Sequence, residues 1–302
     1  MNQIIMVLEE ESTIEELIEK AYILIEALPY FKDYYGKTFV IKYGGSIMAD
    51  DKLKKNLIED ITLLKYVGIN PVIVHGGGPA ITKTLDRLNI EANFIDGLRV
   101  TDKETMEIVE MVLSAQINKE IVALINNMQA SAVGISGKDG NLIKAVKKSF
   151  DSPDKDLGFV GDIEHINPEL VQKLIEDGYI PVIAPVGVND KGETLNINAD
   201  NVAGELAAAL EAEKLIYLTD VDGIRHDADD ETSRVSELNF SEIDDWIKQG
   251  KIKGGMLPKV EGCKHAVERG VIRTHILNGL VPHPLLLEIF TDQGVGTMIK
   301  KD

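Results

Sequence analysis

Long apolar runs are missing from this sequence. No stretch approaches the roughly 20 apolar residues that a membrane-spanning helix needs, which argues against a helical membrane protein. Cysteine is almost absent too. Cys263 is the single thiol in 302 residues, so no internal disulfide can form, and a reducing compartment fits. It falls in a helical pattern and reads as a packed thiol. Positive charge is scarce: 32 Lys and Arg face 50 Asp and Glu, a net charge of −18. That balance argues against a nucleic-acid or anionic-membrane partner. It leaves room for a small anion, because nearby lysines and backbone amides act at short range. The opening residues, MNQIIMVLEEES, lack the basic flank and long apolar core of a secretion signal, so a cytoplasmic location is expected.

Several familiar motifs are lacking as well. No G-x-x-x-x-G-K-[ST] phosphate loop occurs. Gly76 and Gly78 are followed by Ile81 where a dinucleotide fingerprint needs a third small residue. His75-Gly76-Gly77-Gly78 has the look of an esterase oxyanion hole, but the G-x-S-x-G elbow that would accompany it is absent. The six histidines show no metal-ligand spacing such as H-E-x-x-H.

What is present is alternation. Apolar residues make up 44% of the chain, enough for a large core in one large domain or two lobes. A first helix is expected over 12–28, capped by Ser12 or Thr13. Its apolar positions Ile14, Leu17, Ile18, Ala21, Ile25 and Leu28 recur at three- and four-residue spacing, and Pro29 ends it. From Thr38 onward, β-branched runs alternate with helical patterns. Strands are expected at Phe39–Ile41, Pro71–Val74, Ala132–Ile135, Leu142–Val146, Ile180–Ala184, Leu215–Thr219 and Arg273–Leu277. Helices are expected at 51–67, 79–88, 102–127 (one or two), 168–177, 199–211, 241–249 and 256–269. Such alternation predicts a mainly parallel sheet covered on both faces.

The chemistry concentrates at strand ends. Phe39–Ser46 reads FVIKYGGS: an apolar strand runs into Lys42, then Gly44 and Gly45, then a helix. Val72–Pro79 repeats the device with Gly76, Gly77 and Gly78. Glycines let the backbone approach a ligand, and amides near a helix N-terminus attract anions. Lys42 adds a full positive charge where open α/β sheets place their ligands. Downstream, Arg99 lies in GLRVTD, and an arginine can hold a carboxylate through two parallel hydrogen bonds. LNINAD puts Asn196, Asn198 and Asp200 at a strand-to-helix turn, although Asn198 also suits a plain helix cap. Thr219 and Asp220 end another strand. Gly254-Gly255-Met256 opens a helix that carries Lys259.

Taken in order, FVIKYGGS, VIVHGGGP, GLRVTD, LNINAD, LTDVDG, GGMLPKV and GVGTMI resemble the amino acid kinase family, across roughly residues 20–301. The resemblance implies a three-layer α/β/α sandwich with a mainly parallel central sheet, built as two lobes plus an N-terminal helix. Residues 1–36 would serve oligomerisation, 37–210 would bind the acceptor and 211–302 would bind ATP. It further implies phosphorylation of the side-chain carboxylate of N-acetyl-L-glutamate by MgATP, within arginine biosynthesis, with no tightly bound cofactor. By the same resemblance, Lys42 and Lys259 contact the phosphoryl group and Asp200 orients both. Gly44, Gly45 and Gly77 donate amides; Arg99, Asn196 and Asn198 hold the acceptor carboxylates, with Gly76–Gly78 along the substrate. Thr219, Asp220, Gly254, Gly255 and Met256 line the ATP site. Magnesium is expected on ATP oxygens and water, with no protein ligands.

The N-terminal helix resembles that of arginine-inhibited hexamers, trimers of dimers. Tyr30, Lys214, His275, Glu288 and Gly294 are then candidates for an arginine site. Sister kinases acting on carbamate, aspartate, glutamate, UMP or an aminoadipate derivative stay open as alternatives, as does a non-catalytic amino-acid sensor.

Overall fold

The structure is a computed structural model that describes residues 13–149, 156–227, 230, 233–254, 256–292 and 294–302. The chain opens with helix α1 (Ile14–Tyr34), strand β1 (Thr38–Tyr43), a 3-10 turn over Gly45–Ala49, α2 (Asp51–Tyr66), β2 (Asn70–His75) and α3 (Gly78–Arg87). A short hairpin follows, β3 (Phe94–Ile95) and β4 (Leu98–Arg99). Next come α4 (Lys103–Glu110), a π-helical segment Met111–Ile117, α5 (Asn118–Asn127), β5 (Ala132–Ser136), β6 (Ile143–Lys147) and β7 (Val160–Ile166). The middle of the chain holds α6 (Glu169–Glu176), β8 (Ile180–Ala184), β9 (Val186–Val188), β10 (Thr194–Ile197), α7 (Ala199–Ala209) and β11 (Lys214–Thr219). It ends with β12 (Glu237–Asn239), α8 (Phe240–Lys248), α9 (Met256–Glu268), β13 (Arg273–Asn278), α10 (Pro284–Ile289) and β14 (Thr297–Lys300).

Eight strands form one sheet in the order β12-β14-β13-β11-β1-β2-β8-β5. Every neighbour pair is parallel except β13 with β14. Strands β10, β7, β6 and β9 close into a small barrel beside it. Helices cover both faces of the main sheet, which makes the three-layer α/β/α arrangement of a mainly parallel fold.

Strand parity decides what β1 presents to each layer, because successive side chains point to opposite faces. Phe39, Ile41 and Tyr43 join the cluster built on α2, α3, α5 and the π segment. Val40 joins the other cluster, with Val202, Leu206, Val260 and Cys263 of α7 and α9. Lys42 shares the Val40 face and is thereby turned toward α7 and α9. Cys263 is fully buried there, and burial pushes its thiol up to about 12.

Helix α1 departs from expectation. It does not stop at Pro29 but continues to Tyr34 with the proline inside. Pro29 removes one N–H from the ladder, but the following turn is held by packing. Phe31 meets Phe290 edge-on at 5.0 Å, and Tyr34 meets Phe39 at 5.2 Å. Thr13 caps the helix with a capping box shared with Glu16; Ser12 lies outside the described residues. Residues 102–127, read as one or two helices, form a single run interrupted by the π segment. Among the described residues, no helix is long and apolar enough to cross a membrane.

Candidate active site

Strands β1 and β2 are parallel and in register, with Tyr43 opposite His75. Both glycine stretches therefore leave the sheet side by side, at its C-terminal edge. Gly76 N donates to Tyr43 O at 2.7 Å and ties the two loops together. Gly44 is needed for clearance: a Cβ there would stand 3.3 Å from Lys42 Nζ and 3.4 Å from the Gly76 backbone. Gly45 takes φ +69°, the left-handed region that a side chain rarely adopts.

Asp200 is the second residue of α7, a helix begun by Asn198, whose Oδ1 accepts from the Asp200 and Asn201 amides. The capping role of Asn198 is thus realised. Asp200 Oδ1 lies 2.9 Å from Lys42 Nζ, and Oδ2 accepts from Lys259 Nζ at 3.2 Å. The Lys42 contact is an ion pair without hydrogen-bond alignment, so Oδ1 has no aligned donor. The three side chains are only 13%, 14% and 23% exposed for Lys42, Asp200 and Lys259. Burial pushes the Asp200 carboxyl upward, but the charges of Lys42 and Lys259 outweigh it and hold the group below the usual carboxylate value. One anion between two cations leaves a net charge of +1 in a confined space.

These groups line a cleft of about 550 Å³. It brings together Lys42, Gly45, Gly76, Gly77, Gly78, Arg99, Asn196, Asn198, Asp200 and Lys259. Arg99 enters from β4. Its Nη2 donates to Gly78 O at 3.1 Å and to Thr82 Oγ1 at 2.7 Å, while Nη1 is buried without a partner. Burial draws the guanidinium pKa down. An orphaned buried donor of this kind is suited to an incoming carboxylate. Asn196 Nδ2 donates to Thr101 Oγ1 at 3.3 Å, which links β10 to the same wall.

Thr219, Asp220, Gly254 and Met256 are not among the residues lining this cleft. Thr219 ends β11, the strand beside β1, and its hydroxyl is engaged with the backbone of Val221. Asp220 is exposed. Gly254 takes φ +58° just before α9, and Met256 packs on the core. Gly255 lies outside the described residues.

Sequence reasoning passed over part of the wall. Phe94 lies beneath the Arg99 guanidinium at 4.7 Å, and Gly97 and Leu98 complete that side. The signal was available: Asp96-Gly97 between Phe94-Ile95 and Leu98-Arg99 is a two-residue hairpin turn, and both turn residues take positive φ.

The arginine-site candidates gather at the opposite end of the strands. Lys214 opens β11, and its Nζ donates to His275 Nε2 at 3.2 Å. His275 Nδ1 donates to Glu288 Oε1 at 2.7 Å, and Glu288 Oε2 accepts from the amides of Val295 and Gly296 at 2.7 and 3.1 Å. Burial lowers Lys214 to about 8, with Arg273 acting the same way. Gly294 has φ +57°, and a Cβ there would meet Glu288 Oε2 at 2.8 Å. Tyr30 hydrogen-bonds Asp292 and meets Phe290 edge-on.

A two-loop glycine cradle beside a Lys–Asp–Lys cluster, at the C-terminal edge of a mainly parallel sheet, defines an α/β protein with a cationic cleft suited to an anion. The sequence model of the amino acid kinase family matches residues 37–278, and the chain belongs to that family. Among curated relatives, the chain is 62% identical to acetylglutamate kinase of Halothermothrix orenii, over 95% of this chain and 99% of that one. It is 56% identical to acetylglutamate kinase of Desulforamulus reducens, over 94% and 99%. Among solved structures, N-acetylglutamate synthase of Neisseria gonorrhoeae, complexed with coenzyme A and N-acetyl-glutamate, superposes with a TM-score of 0.81 at 26% identity. That match covers 93% of this chain but only 63% of the synthase.

Proposed function

We propose that the chain transfers the γ-phosphoryl group of MgATP to the side-chain carboxylate of N-acetyl-L-glutamate, giving N-acetyl-L-glutamyl 5-phosphate in arginine biosynthesis. The observation that carries this reading is the Lys42–Asp200–Lys259 cluster in a cleft that also holds the unpaired Nη1 of Arg99.

The chemistry asks little of the protein in the way of proton transfer. A side-chain carboxylate with a reference pKa of about 4.3 is ionised near neutrality, so it attacks without a general base. One carboxylate oxygen bonds to the γ-phosphorus, the bond to the β–γ bridging oxygen breaks, and ADP leaves with those electrons. The obstacle is bringing an anion to a polyanion. Lys42 and Lys259 neutralise the transferring group, and the amides of Gly44, Gly45 and Gly77 donate to the phosphoryl or the attacking carboxylate. Asp200 holds the two ammonium groups in place against their mutual repulsion. Arg99, Asn196 and Asn198 hold the acceptor, with Gly76–Gly78 along it. Thr219, Asp220, Gly254, Gly255 and Met256 would serve the nucleotide. In this reading 37–210 forms the acceptor lobe and 211–302 the ATP lobe, in a cytoplasmic enzyme.

Purified protein given ATP and, separately, N-acetylglutamate, N-acetylaminoadipate or aspartate will consume ATP fastest with N-acetylglutamate. A clear preference for another acceptor overturns the substrate assignment, and no ATP consumption with any of them favours the sensor.

We also infer feedback inhibition by arginine and a hexamer built as a trimer of dimers. Two features support this. No residue of α1 is buried within its own chain, although Ile14, Leu17, Tyr22, Ile25 and Leu28 are apolar or aromatic and more than half exposed. A helix with such a face calls for a partner. The second feature is the buried Glu288 carboxylate beside Lys214 and His275, next to the last turn of α1. A guanidinium pairs well with a carboxylate by two parallel hydrogen bonds.

A further inference from the structure

The π segment Met111–Ile117 lies directly beneath the second glycine loop. A π turn is rare and concentrates at functional sites. Here it does two things. Leu113 and Ile117 rise against Gly77 so closely that a Cβ on Gly77 would stand 2.5 Å from Leu113 Cδ2 and 2.6 Å from Ile117 Cδ1. The widened turn also delivers Asn118, the next residue, inward to a fully buried position against the sheet.

Asn118 Nδ2 lies 2.9 Å from Val182 O, 3.3 Å from Ile135 O and 3.3 Å from His75 Nε2. Its Oδ1 accepts from Lys119 Nζ at 3.0 Å. Two carbonyls on one side and an ammonium on the other fix the amide's orientation. Gly134 leaves the space: a Cβ there would lie 1.8 Å from Asn118 Oδ1. The amide's two hydrogens are shared among three acceptors, and its nitrogen accepts none, so a proton on His75 Nε2 would meet donor with donor: that nitrogen is the acceptor and the ring proton sits on Nδ1. Nδ1 is 2.9 Å from Gly76 O and donates to it. His75 itself is fully buried.

The geometry reaches the cleft through a covalent constraint. Gly76 C=O and Gly77 N–H belong to one planar trans peptide and point in opposite directions. Gripping the carbonyl from the buried side aims the Gly77 N–H away from it, and Gly77 lines the cleft. We propose that Asn118 is a positioning residue: it selects the imidazole tautomer of His75 that holds the Gly76 carbonyl and so orients the Gly77 amide toward the reacting groups. This rests on the reading above, in which Gly77 N–H contacts the phosphoryl or the attacking carboxylate.

Two measurements test it. In the intact protein, nitrogen-15 NMR of the imidazoles between pH 5.5 and 8 will find His75 neutral and protonated at Nδ1; an Nε2–H or charged ring overturns the proposal without reference to catalysis. Asn118→Leu keeps the volume and removes the donor. It is expected to lower kcat roughly 10- to 100-fold, with KM for ATP and N-acetylglutamate within a few-fold, a mixed tautomer at His75 and a shifted Gly77 amide resonance. Asn118→Asp, which accepts but cannot donate when ionised, will give the same loss and move the ring proton to Nε2. Wild-type kcat in either variant with the tautomer altered overturns the link to the cleft. Should the protein prove inactive on N-acetylglutamate, the tautomer and Gly77 resonance still decide the positioning claim, and the two failures are told apart.

Discussion

The hydroxyl of Tyr217 donates a 3.0 Å hydrogen bond to the backbone carbonyl of Asp200. Tyr217 is fully buried on β11, and burial, with Cys263 and Asp200 adding to it, raises its phenol well above its usual value. Asp200 is thereby held at its backbone by the sheet while its carboxylate serves two lysines. Tyr217→Phe removes that anchor and little volume. A net loss of about 1 kcal/mol is expected for one buried hydrogen bond. In a chain of this size that corresponds to a Tm about 2 °C lower by thermal scanning, with kcat falling a few-fold.

The paired lysines carry a larger effect. Lys42→Ala or Lys259→Ala is expected to lower kcat by about 10²- to 10³-fold, the cost of losing one preorganised donor, with the circular dichroism spectrum unchanged. Near-native turnover in either variant would refute a two-lysine mechanism.

Arg99 has a different expected signature. With Nη1 free and Phe94 behind the guanidinium, its proposed partner is the acceptor rather than the nucleotide. Arg99→Ala will raise KM for N-acetylglutamate and leave the dissociation constant of ATP unchanged by calorimetry. The reverse pattern would reassign this wall of the cleft.

Two buried groups pull stability in opposite directions with pH. Burial lowers His75 from 6.5 to about 4. The unfolded chain takes up this proton first, so stability present above pH 6.5 is lost as pH falls from 6.5 to 4, by about 3 kcal/mol. Burial raises Asp60 from 3.8 to about 6, against the hydrogen bond from His283. Here the folded state keeps its proton longer, so stability is gained as pH falls from 6 to 3.8, again by about 3 kcal/mol. The two nearly offset. Asp60→Asn is therefore expected to steepen acid denaturation between pH 6.5 and 4, measured by urea unfolding. An unchanged pH profile would contradict the opposing pair.

Deleting residues 1–28 removes the exposed part of α1 and leaves Tyr30 and Phe31. The mass by analytical ultracentrifugation will drop, and arginine sensitivity will fall with it. Retention of both in the truncated protein would disprove the role given to the helix.

Local signals carried far in this sequence, and remote ones did not. Lys42 and the two glycine loops were legible because strand, glycines and helix start are contiguous. The alternation of apolar runs revealed the parallel sheet for the same reason. Helix α1 was misjudged at Pro29 because packing on Phe290 and Phe39, far along the chain or across a turn, outweighs one lost hydrogen bond. Residues 186–188 are too short to announce the barrel strand they form, and β7 was passed over because its polar residues Asp162, Glu164 and His165 break the apolar run. The bond from Tyr217 to the Asp200 carbonyl, the Asn118–His75 contact and the Asp60–His283 pair involve residues with no local pattern at all. Their roles follow from which strand lies next to which.

Strand β1 sits in the interior of one unbroken sheet, paired to β2 over six residues and to β11 over four. A hinge between residues 37–210 and 211–302 would therefore have to shear main-chain ladders rather than swing on a linker. The amides of β1 and β11 would then be among the slowest in the molecule to exchange with solvent deuterium, with or without ligand.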